Sequence, residues 1–139
     1  MRLSHAVVAV AAVLAVPAAA FACDDHAQAS IKHVKLEDAI AIQKSGTATF
    51  VDANNQDTRA KYGIVAGAKL ITLKTFEPAK ELGDKKDAKF IFYCANEKCG
   101  ASVEAAKKAV SAGYTDVNVM KAGIMGWKKA GAPVETPRS

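Results

Sequence analysis

The sequence predicts an α/β fold, a largely parallel β-sheet flanked by helices on both faces. Three observations carry this. Apolar runs rich in β-branched and aromatic residues, TATFV at 47–51 and KFIFY at 89–93, have the length and composition of buried strands. Segments with apolar residues at helical spacing lie among them, above all 36–44 and 100–112. Strands that alternate with helices build βαβ units, whose sheets run parallel and are covered on both sides.

The elements follow in order. Met1 and Arg2 begin a basic start, 6–16 is an unbroken run of Ala, Val and Leu, Pro17 breaks it, and Ala20-Phe21-Ala22 places small residues at both cleavage positions. This is the pattern of a secretory signal over 1–22, and the apolar run falls short of the roughly 20 residues that a spanning helix needs. Cleavage after Ala22 leaves Cys23 first. Phe21 is too bulky for the small-residue pattern before a lipid-modified cysteine, so an exported, periplasmic protein without a membrane anchor is expected, lipidation at Cys23 being the alternative. Residues 23–30 (CDDHAQAS) are polar and aperiodic and read as a lead-in; a metal held by Cys23, Asp24, Asp25 and His26 is less common than a solvated acidic tail.

The domain proper is expected at 31–135, with 136–139 as a tail. Ile31 to Val34 reads as a strand. Leu36, Ala39, Ile40 and Ile42 share one face of a helix that Ser45 and Gly46 end. The strand at 47–51 runs out at Asp52, whose carboxylate at a strand end is expected to order neighbouring loops. Thr58 to Tyr62 is a short helix, and GIVAGAKLITL combines a turn with a strand at 69–73. Arg59 and Lys61 read as part of a solvated face. A helix at 77–82 stops at Gly83, and the strand at 89–93 leads into Cys94. The helix at 100–112 sets Val103, Ala106 and Val110 on one face and ends at Gly113. A strand at 116–120 follows, then a glycine-rich turn and a short element whose Trp127 seals the core.

Composition limits function. The 139 residues are 50% hydrophobic, 24% charged and 6% aromatic, values of one ordinary globular domain. The 19 basic and 14 acidic residues give a net charge of +5, but the lysines are scattered rather than gathered with aromatics on a stripe. No nucleic-acid partner is therefore expected, and small anions remain. Three cysteines are too few for a disulfide scaffold, and no CxxC or HxxxH pair offers a metal site. Neither metal nor cofactor is expected. His5, His26 and His33 lie in or near the N-terminal segments, which disfavours a Cys/His hydrolase.

Cys94 is the candidate for chemistry. In an α/β sheet, ligands meet the carboxyl ends of strands and the amino ends of the helices that follow. Cys94 stands there, and the helix dipole and free N–H groups beyond it are expected to favour its thiolate. Successive N–H groups of Ala95, Asn96, Glu97, Lys98, Cys99 and Gly100 form a candidate anion cradle. A buried, inert cysteine is the competing reading.

The run FIFYCANEKCGASVEAAKKAVSAGY followed by DVNVMKAGIMGWKKAGAPV resembles a single-domain rhodanese-like sulfurtransferase with an atypical CANEKC loop. KAGIMGW is similar to that family's Gly-Gly-x-x-x-Trp turn with Ala122 for the first glycine, and VDAN with GIVAGA resembles its Val-Asp-x-Arg and Gly-His-Ile-Pro-Gly-Ala. Asn54 replaces an Arg, Ile64 and Ala66 replace His and Pro, Glu97 a loop glycine, and Cys99 a position often Arg or Thr. The resemblance implies a rhodanese-like fold and transfer of sulfane sulfur through a Cys94 persulfide. The donor would be a small anionic sulfur compound such as thiosulfate, and the acceptor a thiol, cyanide or a protein. The six-residue loop implies sulfur chemistry rather than phosphate-ester hydrolysis. Lys98 would attract an anionic donor and Glu97 repel it. Cys99 leaves two alternatives open, a thiol–disulfide or sulfur-carrier protein using Cys94 with Cys99, or simple packing of Cys99 into the core. A catalytically silent rhodanese-like binding module is the third.

Overall fold

The computed structural model describes residues 30–138; the expectations for 1–29, including the signal pattern, Cys23 and His26, lie outside them. Seven strands and five helices alternate as β1 (Lys32–His33), α1 (Leu36–Ser45), β2 (Thr49–Asp52), α2 (Gln56–Tyr62), β3 (Ile64–Val65), β4 (Lys69–Leu70), α3 (Pro78–Glu81), β5 (Lys89–Tyr93), α4 (Ala101–Ser111), β6 (Asp116–Val119), α5 (Gly123–Lys129) and β7 (Val134–Glu135). Five strands form a parallel sheet in the order β1-β6-β5-β2-β4. The expected α/β class is thus found, with β5 at the centre.

The pleat of β5 sorts its side chains between two cores. Phe90, Phe92 and then Cys94 join the cluster under α4 with Ala105, Ala106, Ala109 and Tyr114. Ile91 and Tyr93 point to the other face, where Ala39 of α1 and Ile124 and Trp127 of α5 cover them. The alternation decides the site, because it delivers the Cys94 sulfur to the α4 side of the sheet. The expected Val103–Ala106–Val110 face of α4 turns to the core but is only partly buried, Ala106 fully and the two valines in part. The buried residues of the helix are Ser102, Ala105, Ala106 and Ala109, with the two valines on the flanks. Small side chains let the helix lie close on the sheet, and the β-branched residues fill its margins.

Other differences are local. The strand expected over 69–73 pairs only at Lys69–Leu70, although the Ile71 N–H still bonds the Asp52 carbonyl at 3.0 Å. A two-stranded antiparallel ribbon of β3 and β7 was not indicated by the sequence. Trp127 seals the core as expected, fully buried, edge-on to Phe50 and with Nε1 donating to the Pro133 carbonyl at 2.9 Å.

Two devices fix the carboxyl edge of the sheet. The first is Asp52, fully buried, whose Oδ1 accepts from the Asn54 N–H at 2.8 Å and from Arg59 Nε at 3.0 Å. Arg59 Nη2 also donates to the carbonyls of Asp52 and Ile71, at 2.9 and 2.7 Å. Asp52 thus orders its loops, while the expectation of a solvated Arg59 is corrected: its side chain is only 12% exposed, because the carboxylate and two carbonyls draw it inward. Lys61 is the solvated one of the pair. The second device is the start of α5. Ile124 and Met125 donate their N–H groups to the carbonyls of Cys94 and Ala95, at 2.8 and 3.0 Å. This approach requires Gly123, at φ 63°, where a Cβ would stand 2.5 Å from the Ala95 carbonyl.

Two stability predictions follow from these devices. Gly123→Ala should destabilise by well over the ~1–2 kcal/mol of left-handed strain alone, since backbone must also move. Gly46→Ala, with φ 67° and open space around its Cβ, should cost only that strain; equal losses in denaturant unfolding would refute the contact argument. Arg59→Leu strands a buried carboxylate and should cost about 3–5 kcal/mol. A loss below ~1 kcal/mol, the range of exposed ion pairs, would show that the strap is dispensable.

Candidate active site

Cys94 directly follows β5 and is 2% exposed. Its thiol reaches the Cys99 carbonyl at 3.3 Å and the Ser102 hydroxyl at 3.4 Å. Cys94 and Cys99 are both free cysteines. Cys99 is half-buried, resting against the α4-side core cluster that includes Cys94.

The loop between them has its own framework. Asn96 Oδ1 accepts the Lys98 N–H at 3.0 Å, the Asn96 carbonyl accepts the Cys99 N–H at 3.1 Å, and Asn96 Nδ2 reaches Met125 Sδ at 3.4 Å. Asn96 is therefore the brace of the turn. Ala95 and Asn96 are half-buried, whereas Glu97, Lys98 and Gly100 are exposed. Gly100 opens α4 without a side-chain cap, so the first N–H groups of the helix remain free to serve the sulfurs.

Those groups are distributed differently from the sequence expectation. Burial pushes the Cys94 thiol above its ordinary value, and the adjoining Cys99 adds to the rise; the Ser102 hydroxyl and N–H oppose it without prevailing. Burial also works against charge on Cys99. Hydrogen bonds from the Cys94 thiol and from the backbone of Ala95 and Ala101 outweigh it and hold Cys99 below its ordinary value. Backbone donors of the loop and of the head of α4 thus favour charge on Cys99, while burial disfavours it on Cys94. The expected six-residue cradle is also partly spent, since Lys98 and Cys99 donate within the loop. Among the described residues, the N–H groups of Asn96, Glu97 and Gly100 have no protein acceptor.

Ser102 is the residue that sequence reasoning passed over. A serine in the first turn of a helix reads as an ordinary end residue, and only the descent of α4 onto β5 turns its hydroxyl to the thiol. His33 is exposed on the edge strand β1, with β6 between it and β5, so it supplies no base to Cys94. Beside the loop lies a cleft of about 660 Å³, bordered by Asn96, Lys98, Tyr62, Met125 and Lys128.

Comparison with known proteins agrees with this arrangement. Residues 35–130 match the model of the rhodanese-like domain. A structure from Rhodopseudomonas palustris, described as a protein of unknown function and possible tyrosine phosphatase, shares 31% identity over 80% of this chain and 89% of its own, with a TM-score of 0.65. The rhodanese-like domain of an Anabaena protein is 20% identical over 78% of this chain and 81% of its own, with a TM-score of 0.63. The human single-domain sulfurtransferase is 23% identical over 72% of this chain and 97% of its own, with a TM-score of 0.58. No curated protein matches the chain. A central strand that ends in cysteine, a short loop and a covering helix, with the family model spanning most of the sheet, place the chain in the rhodanese-like domain family.

Proposed function

We propose that the protein is an exported sulfurtransferase that carries sulfane sulfur on Cys94. The observation that carries this reading is the position of the Cys94 thiol, at the head of α4, flanked by Ser102 and paired with a second thiol. Thiosulfate is the donor class proposed. Cys94 Sγ attacks its outer sulfur, the S–S bond breaks, and sulfite leaves with the electron pair. As the new bond forms, the Cys94 proton passes to the Cys99 thiolate, the form that the loop's backbone donors favour. A thiol, cyanide or protein nucleophile then takes the outer sulfur and restores Cys94. The free N–H groups of Asn96, Glu97 and Gly100 are suited to the anionic donor and transition state, and Lys98 and Lys128 beside the cleft favour anions. Export is supported by the pattern at 1–22.

The description of the Rhodopseudomonas palustris protein raises phosphate-ester hydrolysis as a second reading. Between Cys94 and Ser102 the only cation is Lys98. A phosphoryl group is held best by the planar fork of an arginine, and none stands in this loop. Sulfur transfer fits the loop better.

Mass spectrometry of the chain isolated from its host tests the proposal. After reduction and addition of thiosulfate, Cys94 should take up the outer sulfur with release of one equivalent of sulfite, read as an added sulfur on the Cys99→Ser chain, and the wild-type spectrum should show residue 23 as the N-terminus. Cys94→Ser should abolish the adduct and thiosulfate-to-cyanide transfer together. No sulfite and no change of mass in the wild-type chain would instead mark a silent binding module. Ser102→Ala removes one of the groups that lower the Cys94 value, so alkylation of Cys94 should slow at neutral pH and recover as pH rises. A uniform slowing at every pH would mean that Ser102 acts through packing alone.

A further inference from the structure

We propose that Cys99 is a resolving thiol, which discharges the Cys94 persulfide as sulfide and makes the protein a dithiol-linked reductant of sulfane sulfur. The inference rests on the Cys94 persulfide and goes beyond sulfur transfer. Its basis is the placement of the two cysteines. The Cys94 thiol lies 3.3 Å from the Cys99 carbonyl, and the Cys99 side chain packs against the core cluster that holds Cys94. The turn between them is closed by the bond from the Cys99 N–H to the Asn96 carbonyl, and its start is pinned by α5 through the Cys94 and Ala95 carbonyls. A persulfide formed at Cys94 therefore has a thiol beside it before any external acceptor arrives.

The electrostatics suit the step. Cys99 receives the Ala95 and Ala101 backbone donors and is held below its ordinary value despite its burial, which favours the thiolate that the step requires. The proton that Cys99 took from Cys94 passes to the outer sulfur of the persulfide, and the Cys99 thiolate so formed attacks Cys94 Sγ, the inner sulfur. A Cys94–Cys99 bond forms, the bond to the outer sulfur breaks, and that sulfur leaves with the electron pair and its proton as hydrosulfide. The two cysteine sulfurs are oxidised to a disulfide and the sulfane sulfur is reduced to sulfide. With thiosulfate as donor the net change is thiosulfate plus two thiols to sulfite, hydrogen sulfide and a disulfide. A dithiol reductant closes the cycle by exchange at Cys99, the more exposed of the two sulfurs.

The test uses the full chain, reduced, freed of reductant and given one equivalent of thiosulfate with no other thiol present. The wild type should lose the mass of two hydrogens, release sulfide in equimolar amount and yield a Cys94–Cys99 linked peptide on digestion. Cys99→Ser should instead keep the extra sulfur on Cys94, and give up sulfide only when an external dithiol is added. A wild-type protein that holds a stable persulfide, with no sulfide and no linked peptide, would overturn the resolving role and leave sulfur transfer standing. No adduct and no sulfide from either chain would overturn both readings. The wild-type result decides even if the variant fails to fold.

Discussion

The contact between Gly123 and the backbone of Cys94 and Ala95 governs the geometry of the site. Two carbonyls of the reactive loop point at the first N–H groups of α5, and that approach exists only because residue 123 has no side chain and adopts a positive φ. A peptide unit has one direction for its carbonyl and the opposite one for its N–H. Turning the carbonyls toward α5 therefore turns the following N–H groups away from it, toward the head of α4. The loop holds its shape because the far side of the domain grips it, and Trp127, four residues along the same helix, fastens that grip to the core through Phe50.

The Asp52–Arg59 knot does the same for the neighbouring strand. Asp52 ends β2 directly opposite Tyr93 in the register with β5, one residue before the thiol. The Ala53 N–H bonds the Tyr93 carbonyl at 2.9 Å, and the Tyr93 hydroxyl accepts the Val65 N–H at 3.0 Å. Burial, with the Asp52 charge adding to it, pushes the Tyr93 phenol far up, so this tyrosine is a structural post and takes no part in proton transfer. The stem of the cysteine is thereby held from β2 and β3 as firmly as its loop is held from α5. A buried ion pair of this kind is costly to desolvate and gains most from such extra hydrogen bonds; Asp52 has Asn54 and Arg59 to supply them.

Most of this was legible where a local pattern reports directly on burial. KFIFY announces a central strand, and the alternation of its side chains fixes which face receives residue 94. The role of Asp52 follows from its place at a strand end. What escaped the sequence depends on partners distant in the chain. Arg59 looked solvated because its two carbonyl acceptors belong to Asp52 and Ile71. The β3–β7 ribbon joins segments about 70 residues apart, and Val134 is exposed, so no apolar alternation marks it. The charge preference of the cysteine pair was hidden for another reason. A helix dipole was visible, but the sulfur that its N–H groups would meet depends on how deeply each cysteine sits.

That last point determines what kind of catalyst this loop can be. A lone cysteine beneath a helix concentrates the available donors on one sulfur, and an external acceptor must then compete with those donors for the persulfide. Here the influences are divided between two sulfurs, with burial opposing charge at Cys94 and backbone donors favouring it at Cys99. In the proposed cycle Cys99 is the base that takes the Cys94 proton during attack on a donor. Passing that proton on to the outer sulfur of the persulfide returns Cys99 to a thiolate and prepares hydrosulfide as the leaving group. In that proposal the same asymmetry that helps a buried thiol attack its donor also shortens the life of the product. A cysteine at this loop position, rather than a residue without a thiol, would change the fate of the sulfur while leaving its proposed capture on Cys94 intact.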